Sequence, residues 1–457
     1  MKLILSALAV LLPVCQAGAF ELDSLTWKTL SARFAENADE RLPKPSARPE
    51  REWTIMLYMN GKSNVEPFVF EDVNELEAVG STPEVAVVAE VGRAGDATMD
   101  EAAGGSWSGA RIYYIEKDAD AKVVTSPVLS SIPKLDMGDY KEVVKFAAWA
   151  RAKYPARKYA LIIWDHGWGW LDPKRGATWK SPLSRSISHD FTTNNYIRTE
   201  EMRPMMRGVG KVDFYASMAC FMQLAEVAYE MRDYADVVVG SEEVIQLPSF
   251  DFTAFLTRLN AKPHSSAEEA GKYLVDTFKD FYSRPDMLDM LAQTKYGTQL
   301  SALRMNRFGA FMDRLDGWAR AAVKLGDDNA ISKAREGVLR MEVGDEGTDP
   351  AKLIAFYADL GNFIELYNKN LADTPAAAVV KAKGAALLSF IDNELVIRNT
   401  GFSKDRTGKD YSVARGISID IPGQPGTLIE MENKYSDLSF AKDSFWPQFR
   451  AYVERVK

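Results

Sequence analysis

A cysteine and a histidine each stand at the end of an apolar run, where they could act as a nucleophile and its acid/base partner. Cys220 ends the run at 212–220, and His166 follows the run at 159–164. A thiolate is a strong nucleophile, and a nearby imidazole can take and return the proton that the reaction moves. The two residue types therefore indicate acyl-transfer chemistry, provided that the fold brings them together.

Apolar runs of strand length alternate with helical patterns through the first half of the chain. The sequence predicts strands at 53–59, 85–91, 111–115 (at an edge), 159–164, 212–220 and 237–240, and helices at 66–79, 139–153, 199–208 and 221–234. This alternation favours a mostly parallel sheet covered by helices on both faces, which is a three-layer α/β sandwich. Ligand sites in such sheets lie beyond the carboxyl ends of the strands, so His166 and Cys220 would meet if their strands are neighbours.

Two features of the backbone could assist this pair. The helical pattern from residue 221 places Cys220 directly before a helix, whose dipole and free N–H groups would stabilise a thiolate. Gly167 follows the histidine, and because it has no side chain its N–H could approach a substrate oxygen. Together with the N–H of Cys220, it would form an oxyanion hole.

The second half of the chain has a different character, and the length of 457 residues exceeds one ordinary core. Helical patterns are predicted at 264–283, 298–325, 328–342, 350–371 and 439–456, with short strands at 385–391, 395–398 and 417–421. We therefore divide the chain into a signal peptide (1–19), an exposed lead-in or pro-segment (20–50), a catalytic domain (51–255) and a largely helical α+β region (256–457).

The N-terminus has the pattern of an export signal. A lysine precedes an apolar run at 3–14 that is too short to span a bilayer, and small residues at 17–19 suit signal peptidase. We expect residues 1–19 to be removed and the protein to be secreted or periplasmic. Lipid anchoring through Cys15 is the alternative, but the residues before Cys15 fit that cleavage pattern poorly.

The number of cysteines limits the possible roles of Cys220. The chain has two cysteines, and Cys15 would leave with the signal peptide. Exported proteins usually pair their thiols, so a single remaining cysteine is either a reactive thiol or an inert buried one. The count alone leaves both alternatives open.

Composition narrows the class of partner. The formal net charge of −8 argues against nucleic acid or an anionic membrane surface as the main partner. No stretch after the N-terminus is long and apolar enough to cross a membrane. The spacing of the histidines matches no zinc pattern, so we assign no metal ligands.

Short segments of the sequence carry a resemblance to a known family. They are DHGWGW at 165–170, MACFM at 218–222, AEVAYE at 225–230 and GSEE at 240–243, with further pieces at 53–61, 74–77, 359–363 and 414–422. These segments resemble the clostripain family (peptidase C11) of the caspase-like clan, over roughly residues 50–425. The resemblance implies a caspase-like sheet and a peptide or protein substrate, with Cys220 as nucleophile, His166 as general acid/base and Gly167 as oxyanion donor. Calcium as a cofactor is implied by the resemblance only, and we assign no other cofactor.

One position departs from the family pattern in a way that bears on specificity. Family members that cleave after Arg or Lys carry an Asp two residues before the nucleophile, where this chain has Met218. A neutral thioether cannot pair with a cation, so we expect an apolar or uncharged P1 residue. We expect Ser241 and Glu242 to contact substrate as well, and the carboxylate of Glu242 or Glu243 could replace the missing Asp.

The loop at 171–195 is rich in Lys and Arg and lies between the two candidate catalytic strands. Family members are often activated by cleavage in this region, whereas a solvated surface loop is the simpler alternative. Because Met218 would remove cleavage after basic residues, another protease would have to cut here.

Two hypotheses about function follow. The first is an exported cysteine endopeptidase, in which Cys220 attacks the peptide carbonyl and His166 helps to protonate the leaving amine before the thioester is hydrolysed. The second is a catalytically silent relative that binds peptides or a surface partner through the same cleft.

Overall fold

The computed structural model describes residues 51–172, 187–343, 354–405, 408–423 and 434–456. Its strands are β1 (Arg51–Gly61), β2 (Val85–Arg93), β3 (Gly109–Tyr114), β4 (Val128–Ile132), β5 (Ala156–Trp164), β6 (Ile187–Asp190), β7 (Asn195–Ile197), β8 (Val212–Met218), β9 (Ala235–Gly240), β10 (Thr298–Arg304), β11 (Arg340–Val343), β12 (Ile354–Asp359), β13 (Val396–Phe402) and β14 (Ser418–Asp420). Its α-helices are α1 (Glu66–Glu77), α2 (Tyr140–Lys153), α3 (Thr199–Val209), α4 (Ala225–Met231), α5 (Phe252–Ala261), α6 (Ala267–Tyr282), α7 (Pro285–Thr294), α8 (Phe308–Leu325), α9 (Asp328–Gly337), α10 (Leu360–Asn370), α11 (Pro375–Phe390), α12 (Ser439–Asp443) and α13 (Trp446–Arg455).

Nine of these strands form the central sheet, in the order β13-β10-β9-β8-β5-β1-β2-β3-β4. The five central strands, from β9 to β2, run parallel, and the strands at both ends of the sheet pair antiparallel. β2 is buried along its whole length and β1 along nearly all of it. A strand that is covered on both faces must be apolar at successive positions, which is the pattern that the sequence shows.

Successive residues of β1 point into two separate apolar cores. Met56 and Tyr58 belong to the core on one face of the sheet, whereas Ile55 and Leu57 belong to the core on the other. Helices α2, α3 and α4 contribute to the first core, and α1, α5 and α6 contribute to the second. The predicted three-layer α/β architecture is therefore confirmed.

Several local predictions are wrong, most of them in the second half of the chain. Residues 298–304, predicted as part of a helix, form strand β10 between β9 and β13. Residues 385–391 were predicted as a strand, but residues 385–390 belong to helix α11 and Ile391 begins a π-helical turn after it. Pro375 starts α11, and the Thr374 hydroxyl caps it by accepting a hydrogen bond from the Ala377 N–H. Strand β4 was not predicted, and it displaces β3 from the edge of the sheet. Short apolar runs fit strand and helix equally well, so tertiary pairing decides between them.

The central sheet crosses the boundary that the sequence suggested at 255/256. Strands β10 and β13 lie beyond that boundary and extend the same sheet on the β9 side. The described residues from Arg51 onward accordingly form one compact unit. Two smaller sheets accompany it, of the order β11-β12-β14 and β6-β7.

The predictions for residues 1–19 and 20–50, and most of the 171–195 loop, lie outside the described residues. They stay predictions, as does the export that the signal peptide implies. Among the residues that the structure does describe, no helix combines the length and the apolar character needed to cross a membrane.

Candidate active site

The two candidate catalytic residues extend from neighbouring strands. β5 and β8 are parallel partners, and their last register pair joins Trp164 to Met218. His166 and Cys220 therefore stand two residues beyond the same pair, at the carboxyl end of the sheet. The condition set in the sequence analysis, that their strands are neighbours, is therefore met.

Gly167 fits so tightly against the cysteine that a side chain cannot be accommodated. A Cβ atom at this position would lie 2.4 Å from the carbonyl oxygen of Cys220, 3.1 Å from its nitrogen and 2.9 Å from Cβ of Ala219. Gly167 also makes an isolated antiparallel bridge with Ile187 at the start of β6. The glycine thus brings the histidine segment and the cysteine segment into backbone contact, and its role as oxyanion donor stays a prediction.

The His166 ring is held from two sides. Its Nε2 lies 2.7 Å from Oδ1 of Asn64, in the turn between β1 and α1. Phe191 lies almost parallel to the ring, with centroids 6.2 Å apart and an interplanar angle of 9°, and His189 packs on Phe191 edge-on at 4.7 Å. The sequence analysis missed Asn64, whose only signal was its position just beyond the end of a predicted strand.

Asp165 forms a buried anchor beneath the histidine. Its carboxylate oxygens accept hydrogen bonds from Nδ2 of Asn60 and Oγ of Ser63, both at 3.1 Å, and from the backbone N–H groups of His166 and His189. Burial raises the pKa of Asp165 well above its usual value, against the lowering effect of these donors. Because the donors come from β1, from the turn after it and from β6, Asp165 ties three segments to the histidine.

Burial favours the neutral form of both candidate catalytic groups. Burial raises the pKa of the partly exposed Cys220 to about 12; the N–H of Ile245 opposes this rise, and the charge of Glu243 adds to it. Burial also lowers the pKa of His166 to about 4, with a further contribution from His189. These shifts favour a thiol and an uncharged imidazole at neutral pH, and the ionised thiolate expected from the sequence stays a prediction.

The helix expected directly after the nucleophile is absent from that position. Helix α4 begins only at Ala225, so Cys220 does not directly precede a helix as the sequence predicted. Phe221 has a φ of +60°, in the left-handed region that a bulky side chain rarely adopts, and this turns the chain away from a helical path. Such backbone strain costs about 1–3 kcal/mol and is found mainly at functional sites.

The segment after β9 supports this turn. The N–H of Phe221 donates to the carbonyl of Glu243 at 3.3 Å, and the N–H of Gln223 donates to the carbonyl of Ser241 at 2.9 Å. The Ser241 hydroxyl donates to the Glu243 carbonyl at 2.8 Å and is itself fully buried. Ser241 therefore stabilises the loop after β9, and this loop holds the turn that follows Cys220. The contact of Ser241 with substrate stays a prediction.

Glu242 is also fully buried and bonded to protein groups. Its N–H donates to Oε1 of Gln299 at 2.8 Å, and its Oε1 accepts from the N–H of Gly416 at 3.0 Å. Its carboxyl also hydrogen-bonds to Asp359, which accepts from the N–H of Arg415 at 2.6 Å. Burial, followed by the charge of Asp359, raises the pKa of Glu242 well above its usual value, so Glu242 holds the proton. Direct contact with a substrate cation would require this pair to open, and that role stays a prediction.

Met218 lies at the end of β8 with only 4% of its surface exposed. It belongs to the apolar core that also contains Trp164, Ile245 and Phe250. Its backbone carbonyl accepts a hydrogen bond from the N–H of Asp165 at 3.3 Å. A substrate side chain that reached Met218 would therefore meet apolar neighbours.

A cavity of about 310 Å³ opens beside the Phe191 side of the site and is lined partly by Lys62, Arg93 and Thr192. Its buried cations are already paired, since Lys62 Nζ lies 3.0 Å from Asp190 and Arg93 Nε lies 2.8 Å from Glu66. The two buried cations of the cavity wall are thus neutralised.

Within the described ranges, no group of three or more His, Cys, Asp or Glu side chains is arranged to hold a metal ion. Calcium as a cofactor stays a prediction from the family resemblance.

Comparison with known proteins places these features in a family. Residues 57–454 match the clostripain family, peptidase C11. Clostripain from Hathewaya histolytica is 27% identical over 244 residues, which make up 50% of this chain and 45% of that protein. The chain thus spans about half the length of the curated relative that it matches.

Solved structures share the fold at low sequence identity. A secreted C11 cysteine protease from Bacteroides thetaiotaomicron, in complex with an irreversible peptide inhibitor, gives a TM-score of 0.55 at 17% identity, covering 88% of this chain and 99% of that one. An inactive zymogen C11 protease from Parabacteroides distasonis gives a TM-score of 0.58 at 16% identity, with the same coverage of 88% and 99%. These similarities confirm the predicted caspase-like fold class. Because the family match runs from β1 to α13, the chain belongs to the clostripain family.

Proposed function

We propose that this chain is a cysteine endopeptidase, with Cys220 as the nucleophile and His166 as the general acid/base. The observation that carries the proposal is the register of β5 and β8, which places these two residues at the same end of neighbouring strands in a member of the clostripain family. The relatives described above as proteases support a peptide or protein as the substrate.

The neutral resting pair determines how the proposed cycle begins. The Cys220 proton moves to His166 while the sulfur forms its bond to the peptide carbonyl carbon, so charge separation accompanies the attack. The N–H groups of Gly167 and Cys220 would stabilise the resulting oxyanion. The C–N bond then breaks as His166 returns the proton to the leaving amine. His166 next takes a proton from water, the resulting hydroxide attacks the thioester, and the proton returns to the departing sulfur.

The alkylation rate of Cys220 tests whether its thiol is activated. We expect iodoacetamide to label Cys220 roughly 10–100-fold more slowly in His166→Ala than in the unmodified protein, because the raised thiol pKa makes the reaction depend on a base. Second-order labelling rates, measured by mass spectrometry at pH 7, check this. His264→Ala is the matched control, since the His264 side chain is 75% exposed and bonds to Glu52. Equal labelling rates in all three proteins would contradict the claim that His166 activates the Cys220 thiol.

A peptide-binding relative without turnover is the second candidate function. The raised pKa of Cys220 is the observation that favours it, because an un-ionised thiol is a poor nucleophile without assistance. Slow labelling that does not change in His166→Ala, together with retained peptide binding, would support this candidate over the first.

The neighbours of Met218 lead us to propose an uncharged P1 preference. We expect digestion of a peptide library to give cleavage mainly after apolar or uncharged residues, because the groups around Met218 are apolar. The raised pKa of Glu242 also favours its neutral form, which cannot pair with a cationic P1 side chain. Cys220→Ala, prepared in the same way, would identify any cleavage by a contaminating protease. Dominant cleavage after Arg or Lys would contradict this preference.

A further inference from the structure

An asparagine of the β1–α1 turn reaches the ring of the candidate acid/base. β1 and β5 are parallel neighbours whose last register pair is Met59–Trp164. The turn after β1 therefore passes beside the turn that carries His166. Asn64, which lies on the surface of this turn, places Oδ1 2.7 Å from Nε2 of His166.

This contact has a defined direction. A side-chain amide oxygen can only accept a hydrogen bond, so Nε2 of His166 must carry the hydrogen. A neutral imidazole has one N–H, and the lone pair is then on Nδ1. The contact thus selects the tautomer in which Nδ1 is the base, as the second hydrogen bond of a functional histidine commonly does.

We assign the selection of the His166 tautomer to Asn64 after considering the other described groups near the ring. Phe191 packs on the face of the ring, where it can hold the plane but cannot choose a tautomer. Among the titratable groups, His189 contacts Phe191, and the carboxylate of Asp165 binds the backbone N–H of His166 rather than its ring. Asp190 is paired with Lys62, and Cys220 lies just beyond β8.

We propose that Asn64 is a positioning residue that holds the His166 ring in the tautomer with Nδ1 as the proton acceptor. The proposal rests on the proposed function, in which His166 moves the proton of Cys220. It adds a third member to the two residues that the sequence indicated, and assigns it a neutral amide where many catalytic histidines have a carboxylate.

The neutrality of the amide has a consequence for pH dependence. A carboxylate at this position would stabilise the imidazolium and raise the pKa of His166 by roughly one to three units. Asn64 provides the same orientation without that charge, so the imidazole, whose pKa burial lowers to about 4, stays unprotonated over a wide pH range. Activity that depends on an unprotonated His166 is present above this pKa and lost as the pH falls through it.

Two substitutions separate orientation from simple structural support. We expect Asn64→Ala to lower kcat roughly 10–100-fold, with KM changed less than about twofold, because the ring loses its tautomer control but not its substrate cleft. Asn64→Asp keeps an acceptor of the same shape, so it should restore most of the activity near pH 8 while moving the acid limb of kcat/KM upward by about one to three pH units. Asn329→Ala, at another exposed asparagine, is the control for the loss of the amide.

A second readout keeps this proposal separate from peptidase activity. The His166 ring signal, assigned by its absence from His166→Ala, would be titrated by NMR in the unmodified protein and in both Asn64 variants. We expect its midpoint to rise in Asn64→Asp and its ring nitrogen shifts to show a mixture of tautomers in Asn64→Ala. These changes without any peptide hydrolysis would support the Asn64 contact and contradict the proposed function. Hydrolysis with unchanged kcat, pH profile and titration in both variants would overturn the proposal for Asn64 alone.

Discussion

Gly167→Ala should lower kcat/KM at least about a hundredfold, because a Cβ atom at this position would lie 2.4 Å from the carbonyl oxygen of Cys220. Two of its three nearest contacts are backbone atoms, so no flexible side-chain end can move aside. Either the His166 segment or the Cys220 segment must shift. Loss of one well-placed oxyanion donor, or misplacement by about 1 Å, typically reduces turnover about 10²-fold or more.

Stability should fall as well, and a glycine elsewhere provides the control. Overpacking of this kind costs about 1–3 kcal/mol, which thermal unfolding would detect as a lower Tm. A Cβ at Gly309, in the first turn of α8, would meet no side chain and no other segment within 4 Å, so Gly309→Ala should be neutral or slightly stabilising and retain activity. Wild-type kcat/KM and Tm in Gly167→Ala would mean that the backbone contact with Cys220 is not required.

Glu242→Ala should destabilise the fold by about 3 kcal/mol, whereas Glu242→Gln should not. The alanine leaves the buried carboxylate of Asp359 without its proton-sharing partner and the N–H of Gly416 without its acceptor. Glutamine reproduces a protonated glutamate, since its oxygen can accept from Gly416 and its amide can donate to Asp359. Free energies of unfolding from urea titration at pH 7 would compare the three proteins.

The same pair predicts how this difference varies with pH. Glu242 binds its proton more tightly in the folded state than in the unfolded chain, so its contribution to stability is fully present below its unfolded pKa of about 4.5 and is lost progressively as pH rises above that value. Burial raises the pKa of Asp359 to about 6. Its contribution to the stability of the fold therefore also falls as the pH rises from about 4 to about 6.

Glutamine at 242 cannot lose that proton. The stability of Glu242→Gln relative to wild type should therefore grow between pH 4.5 and pH 8. Glu101→Gln, at an exposed glutamate, is the control for the removal of one carboxyl group. A difference between Glu242→Gln and wild type that stays constant with pH would show that the pair does not share a proton.

Much of the central fold and the main candidate pair could be predicted from the residues in order. Near-continuous apolar runs predicted β1, β2, β5 and β8, because parallel strands buried on both faces need apolar side chains at successive positions. The carboxyl ends of neighbouring parallel strands share one edge of the sheet, so His166 and Cys220 were expected to meet if their strands were neighbours. Both inferences depend on local pattern and a general rule of sheet geometry.

Other features depend on contacts between distant parts of the chain. Nothing local marks Asn64 as a partner of a histidine 102 positions away, because the pairing of β1 with β5 is what brings them together. The Glu242–Asp359 pair likewise joins segments that meet only in the folded chain. The raised pKa of Cys220 follows from burial by several segments of the chain, whereas the sequence favoured a thiolate before a helix. Sequence alone thus indicated which groups could react and at which edge of the sheet they would lie. The tertiary structure decided their pKa shifts and their supporting contacts, because burial and long-range hydrogen bonds exist only once the chain has folded.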